Sequence, residues 1–507
     1  MKKNIIFYTF LTAAVGLTSC EDFLAEKPTG SLTTSSTVSS PEIARSFVDG
    51  VYSTITTWNN GGGGWGGNNA SLVEYMTGKA DGNAQSEAYK FYDQEYDSRA
   101  FYIDNWWSGL YTGIARANLA IQKVGEISSL PEATRANMVA EAKTLRALYY
   151  FQLVRMFGDI PKLTTLVTSL DQVQTPRSPA KEIYDEIIIP DLLEAEKSTL
   201  AWRDVAGRVS KGLIKSLLAD VYLTYAGFPI QAGNQFYAES AKRSKEVIDN
   251  GSYSLFPEYT DMILPANRNQ KEFIFQVQHE KDIRHNALTP VTLPTLRGVA
   301  SYSDEYGGLV PRKEFIESYE KGDKRTQEKQ FFYTFYKGHP SDYPAGDPRR
   351  DSLNLGGYYL YKWFDKAAID SDAKANINYT IYRYAEVLLL YAEASNKAEN
   401  GPNAQALKAL NDIRSRAKLP AVTATTSAAF EQAVWAERYF ELCFEGKMFF
   451  DMLRTRKVRN DVTKQWDNFV GHKTVYGKTF SEKNLLFPIP KREIDNNRNL
   501  KQNLGFN

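Results

Sequence analysis

Cysteine and histidine are scarce in this 507-residue chain, at two and four residues. Two cysteines, Cys20 and Cys443, exclude both a disulfide framework and a cysteine-rich zinc fold. The histidines, His279, His285, His339 and His472, never fall at metal-ligand spacing. An excess of charge of one sign is also missing. There are 61 basic and 60 acidic residues, and without residues 1–19 the balance is 59 to 60. That excludes the strongly basic footprint of a dedicated nucleic-acid binder. Nor is the chain aromatic-poor like a disordered one, since 43% of residues are hydrophobic and 13% aromatic. After the first twenty residues no segment is long and apolar enough to cross a bilayer. Catalytic signatures are absent as well. Gly61 to Gly66 formally satisfies the dinucleotide fingerprint, but no apolar strand precedes it and no helical pattern opens after it. There is no nucleophile elbow, and nothing singles out the two carboxylates that glycoside hydrolysis needs. Asp370-Ser-Asp372 begins like a calcium loop but lacks its glycine and terminal glutamate. No cofactor or metal is expected, and the chain is not read as an enzyme.

What is present starts at the N-terminus. Lys2 and Lys3 precede an uncharged, mostly apolar stretch from Ile5 to Leu17, too short for a comfortable membrane span and proportioned like a secretory signal core. Leu17-Thr18-Ser19-Cys20 resembles the bacterial lipoprotein box, which implies cleavage before Cys20 and its lipidation. Two or three acyl chains anchor firmly where one would be marginal. Glu21 and Asp22 resemble the acidic export signal of Bacteroidetes surface lipoproteins. Thr29 to Ser40 is mostly Ser and Thr, a polar tether with little to bury. The chain is thus divided into a signal peptide (1–19), a lipidated Cys20 with tether (20–40) and one mainly α-helical domain (41–507).

Within that domain the dominant period is helical. Met138, Ala142, Leu145, Tyr149, Leu153 and Met156 line one face from Asn137 to Phe157, and Gly158 and Pro161 stop the pattern. Val209 to Ala226 and Ala238 to Ile248 form one helical pair, the second member closed by Asn250-Gly251. Tyr382 to Lys397 and Ala404 to Lys418 form another, separated by Asn400-Gly401-Pro402. Ala394, Ala406 and Leu410 keep the small-small-large spacing of a degenerate tetratricopeptide (TPR) unit, so the scaffold reads as TPR-like pairs rather than a regular array. Between about 252 and 380 the period changes. Phe273 to Val277 and Gly357 to Tyr361 read as short strands within a loop-rich insertion.

Landmarks along the chain resemble the SusD/RagB-like outer-membrane nutrient-binding lipoproteins. They include Cys20 to Leu24, Trp107 to Tyr111, Leu145 to Ala147 running to Pro161, and Pro311 to Arg325. Arg383 to Glu386, Asn411 to Arg416, Glu437 to Arg454 and Pro488 to Pro490 continue the series, with Lys447 where arginine is usual. The resemblance implies a cell-surface lipoprotein that binds an oligosaccharide or polysaccharide and serves as a lid on a TonB-dependent, SusC-like outer-membrane transporter. Arg383, Arg438, Glu441 and Arg454 sit on helices at spacings that suit internal ion pairs.

Sugars offer apolar C–H faces to aromatic rings and hydroxyl edges to planar polar groups. The resemblance directs attention to two regions. The loops before Trp107 hold Trp58, Trp65, Asp81, Asn83, Tyr89 and Tyr92, and the insertion holds Arg297, Tyr302 and Tyr306, with Trp363 further on. Each aromatic is a candidate glycan contact or is packed under a loop, and Asp81 and Asn83 could instead shape turns around Gly82. Two other functions use the same scaffold: peptide capture in an extended groove, and a TPR-type adaptor for protein partners.

Overall fold

The first described helix, α1 (Pro41–Tyr52), begins where the Ser/Thr tract ends, with the Ser40 Oγ accepting from the Ile43 N–H at 3.3 Å. The computed structural model describes residues 40–60, 68–82, 84, 86–167, 169–294, 307–371 and 374–506. The chain divides into two units, Met1–Ser39 and Ser40–Asn507, and every described residue belongs to the second. Cys20 and the leader lie outside the described residues.

Helices build the scaffold in successive pairs. After α1 come α2 (Asn69–Tyr75), α3 (Phe101–Gly125) and α4 (Glu132–Phe157), and α3 packs on both α1 and α4. The six periodic positions from Met138 to Met156 are all buried, and Gly158 ends α4 at φ 72. A side chain there would meet Leu486, so a left-handed turn and a close approach both require glycine. Helix α5 (Ile189–Ala195) bridges α4 to α6 (Lys211–Ala226). Helix α7 (Asn234–Asn250) packs between α6 and α8 (Tyr384–Glu399), and α8 also receives α9 (Ala404–Arg416) and α10 (Ser427–Glu441). A short α11 (Met448–Thr455) follows. The stops are local chemistry. Gly251 and Asn400 adopt the left-handed conformation after α7 and α8, and the Asn403 side chain caps α9 by accepting from Ala406 N at 2.8 Å. Helix α7 starts four residues before the expected Ala238, with Phe236 of its first turn packed on Tyr222 and Tyr225 of α6. Ala394, Ala406 and Leu410 are fully buried where α8 meets its neighbours, which is what the small-small-large spacing requires. Among the described residues no helix is long and apolar enough to cross a membrane.

Strands are few and short. Among the described residues they pair in twos, all antiparallel: β1 (Ala80–Asp81) with β5 (Val310–Pro311), β2 (Ile160–Pro161) with β3 (Arg177–Ser178), and β4 (Phe273–Val277) with β8 (Tyr379–Arg383). The remaining pairs are β6 (Phe332–Tyr336) with β7 (Leu353–Leu360) and β9 (Lys457–Arg459) with β10 (Trp466–Asn468). The β4–β8 pair closes the insertion at its base, directly before α8. The expected strand at Gly357 to Tyr361 begins earlier, at Leu353.

Buried charges tie insertion to scaffold. Arg383, at the root of α8, donates to Glu272 at 2.8 Å, Glu441 at 2.7 Å and Glu445 at 2.7 Å. Arg416 pairs with Glu272 and Glu441, and Arg325 with Asp323, Glu437 and Glu441. Burial disfavours the Glu441 carboxylate, but Arg416, Arg383 and Arg325 outweigh it and hold its pKa at about 2. Arg438 pairs with Asp451, and Arg454 with Glu393 and Asp451. All four residues read from the sequence as structural ion-pair members are therefore committed to the core.

Candidate functional site: a tyrosine stack beside the β1–β5 pair

The β1–β5 pair brings residues 80–81 against 310–311. At its end Gly82 lies so close to Gly308 that a β-carbon would stand 2.7 Å from the Gly308 carbonyl oxygen and 2.2 Å from the Tyr75 hydroxyl, so glycine alone fits. Asp81 Oδ1 accepts from the Gly82 N–H at 2.8 Å, which fixes the turn and leaves its carboxylate half-exposed.

Next to this carboxylate stands a stack of three tyrosines. One helical turn, Tyr89–Tyr92, sets the Tyr89 and Tyr92 rings 4.8 Å apart at 32°. Tyr92 in turn stacks on Tyr476 at 4.2 Å and 25°. Tyr476 comes from a tight turn in which Gly477 N donates to Thr474 O. The middle ring is buried, while the outer two keep partial exposure. Arg312, the residue after β5, donates to the Tyr92 hydroxyl at 2.9 Å, lies 3.5 Å from Asp81 and places its guanidinium 5.6 Å from the Tyr476 ring centre. Burial pushes the Tyr92 hydroxyl up to about 12, and Asp81 adds to this while Arg312 opposes it. Tyr92 is therefore a neutral phenol that backs Tyr89 and accepts from arginine. The cluster offers an aromatic face, an acceptor carboxylate and a guanidinium within a few ångströms of one another, which is the chemistry that recognises a polyhydroxylated ring.

Of the sequence candidates, the structure brings together Asp81, Tyr89 and Tyr92. Trp58 and Trp363 are corrected to core residues. Trp58 is 7% exposed and meets Trp106 edge-on at 5.4 Å. Trp363 is 4% exposed, stacks on Tyr379 at 5.1 Å and donates from its indole N–H to the Phe444 carbonyl at 3.0 Å. Both side chains are buried in packing contacts. Trp65, Asn83, Arg297, Tyr302 and Tyr306 lie outside the described residues, as does Asp372 of the calcium-like motif. Asp370 is held by Lys337 and Lys366.

Sequence reasoning missed Arg312 and Tyr476. Arg312 follows a landmark proline, and Tyr476-Gly477 carries an ordinary turn signal. Neither advertises contact with residues 81–92. A second feature holds the roots of the Gly/Asn-rich stretch. The Asn59 amide donates to Asn286 Oδ1 at 2.7 Å and to His279 Nε2 at 3.0 Å, and the Asn68 amide donates to Asn59 Oδ1 at 2.7 Å. With Nε2 accepting, the His279 proton sits on Nδ1, 3.1 Å from the Arg284 carbonyl oxygen. Burial lowers its pKa to about 4, so this histidine is a neutral structural clamp. No group of three or more metal-ligating side chains occurs among the described residues.

Fold and cluster together define a helical-pair scaffold that presents a loop-borne polar–aromatic surface. Comparison with known proteins identifies its lineage. Residues 311–506 match the model of the SusD family, and residues 22–223 match a SusD-like model described as starch-binding associating with outer membrane. A SusD superfamily protein from Parabacteroides distasonis of known crystal structure is 50% identical, with a TM-score of 0.90 over 94% of this chain and 100% of that one. The chain belongs to the SusD family. SusD-like protein P2 of Formosa agariphila is 26% identical over 99% of both chains. Surface glycan-binding protein A of Bacteroides thetaiotaomicron, solved in complex with laminarihexaose, is 21% identical and shares the fold, with a TM-score of 0.70 over 91% of this chain and 99% of that one.

Proposed function

We propose that the protein is a cell-surface lipoprotein that captures oligosaccharides and passes them to a TonB-dependent, SusC-like outer-membrane transporter. The observation that carries the reading is the Tyr89–Tyr92–Tyr476 stack with Asp81 and Arg312, a surface built for stacking and hydrogen bonding to a sugar. Tyr89 supplies the apolar contact and Tyr92 stiffens it from behind. Arg312 holds the Tyr92 hydroxyl and offers its remaining donors to hydroxyl oxygens, while Asp81 accepts from hydroxyl hydrogens. Family membership supports the outer-membrane location, and the laminarihexaose complex of a fold relative supports an oligosaccharide as the class of ligand. The lipoprotein box supports anchorage through Cys20. Capture without cleavage is the proposed role.

The test is a titration of purified protein against plant, host and microbial polysaccharides and their oligosaccharides, laminarihexaose among them, run beside a peptide panel. Saturable binding to at least one glycan, with its chain-length distribution unchanged after incubation, is the expected result. Binding to peptides alone would overturn the glycan reading, and new reducing ends would overturn the non-catalytic one. The transporter partnership is tested separately by co-purification with a SusC-like barrel.

A further inference from the structure

A cavity of about 440 Å³ is lined by none of Asp81, Tyr89, Tyr92, Arg312 or Tyr476. It lies between the end of α4, the turn after α6, the end of α11 and the C-terminal segment. Its size is within the range of about 300–1,000 Å³ that small-molecule sites occupy. Phe228, Pro229, Ile230, Leu453, Leu486 and Leu504 give it an apolar wall. Phe228 is 37% and Leu504 70% exposed, so the mouth holds apolar side chains that water wets.

Two arginines in the same lining have no ion pair among the described residues. Arg177 spends its donors on neutral acceptors, the carbonyls of Asp159, Lys501 and Phe157 and the Asn503 Oδ1. Arg456, just past α11, lies over the Phe228 ring at 5.4 Å, and among the described residues its half-buried guanidinium has neither a carboxylate nor a hydrogen-bond partner. Arg454, by contrast, is neutralised by Glu393 and Asp451. The two carboxylates in the lining are placed otherwise. Asp159 accepts from the Ala180 N–H and its charge favours the Arg177 guanidinium without forming an ion pair, and Glu482 is exposed, so neither serves Arg456. A partly desolvated guanidinium without an anion is unfavourable, and a carboxylate brought by a ligand would complete it with paired hydrogen bonds.

We propose that this cavity is a second binding site, for a carboxylate carried on an apolar chain such as a medium-chain fatty acid. The chain lies along Phe228, Ile230, Leu453 and Leu504, and the carboxylate pairs with Arg456. The site is separate from glycan capture and its test does not depend on it.

Isothermal titration of the purified protein with decanoate, below its micelle concentration, should show one saturable site. Decanol, which lacks the charge, and acetate, which lacks the chain, should each bind at least about tenfold more weakly. Arg456→Asn removes the guanidinium and suits the left-handed backbone at this position, where φ is 57. It should weaken decanoate about tenfold or more and leave melting unchanged. Leu504→Asp, at an exposed rim position, is the second variant and should weaken decanoate by lost contact and repulsion. Absence of saturable decanoate binding, equal binding of decanol, or wild-type affinity in both variants would overturn the proposal.

Discussion

Replacing Trp363 by alanine should make the protein unfold more easily while leaving the affinity of the folded molecules for glycan unchanged. The indole is 4% exposed, faces the Tyr379 ring at 5.1 Å and 10°, and donates to the Phe444 carbonyl. Its removal deletes that stack, leaves a cavity and strands a buried acceptor, a loss of about 3–5 kcal/mol for a buried tryptophan. The folded unit runs from Ser40 to Asn507. A unit of that size has an unfolding entropy of about 1 kcal/mol/K, so the melting temperature should fall by about 3–5 °C. Urea unfolding should show the same loss as a lower midpoint at unchanged slope. Isothermal titration at a temperature where both proteins are folded reads the affinity. A Trp363→Ala protein that melts with its parent yet loses glycan binding would refute the reasoning, since the ring would then be a ligand contact. Trp58→Ala, whose ring meets Trp106 edge-on, should behave in the same way.

Further outcomes follow from buried charge and from the leader. Burial raises the Glu74 carboxyl to about 7, against the Gly446 N–H that donates to it at 2.7 Å. A raised carboxyl leaves stability intact below about pH 4.5 and erodes it as the pH rises to about 7, by roughly 3 kcal/mol. Glu74→Gln should therefore gain stability over its parent between pH 4.5 and 7, and a difference independent of pH in urea melts would contradict this. Glu441, held at about 2 by three arginines, works in the opposite sense, its contribution being present above about 4.5 and lost as pH falls toward 2. Glu441→Gln should be destabilised by about 3–5 kcal/mol at pH 7, and the gap to the parent should narrow in acid melts below pH 4.5. Cys20→Ala should release the protein from the outer-membrane fraction with its melting temperature unchanged. A variant that still pellets with the membrane would oppose the lipid anchor.

The scaffold was legible because its signals are local. A 3.6-residue period, glycine or asparagine stops and a small-small-large spacing each report on a few consecutive residues, so α4, α6, α8 and α9 could be placed within a few positions. Glu441 was legible for a related reason, since a charged residue on an apolar helix face needs buried partners, whereas Arg383, expected on a helix, is instead the last residue of β8 and pairs from the strand end. The cluster was legible only in part. Asp81, Tyr89 and Tyr92 stood in one polar–aromatic stretch, but Arg312 reaches them through the β1–β5 pairing and Tyr476 through a turn near the C-terminus. Pairings across such separations leave no mark in a single sequence. Trp58 and Trp363 show the converse. A tryptophan in a stretch without periodicity reads either as a ligand contact or as packed under a loop, and only the rings and carbonyls of distant segments decide between the two.

The central claim is that the tyrosine stack is the surface on which an oligosaccharide is held. Tyr89→Ala, titrated against the best-binding oligosaccharide beside the parent protein, tests it most directly. Tyr89 is the partly exposed end of the stack and bears little on the core, so melting should be unchanged. Loss of a stacked aromatic is worth about 2 kcal/mol, so affinity should fall about thirtyfold. Parental affinity in Tyr89→Ala would contradict the account and move the site away from the β1–β5 pair.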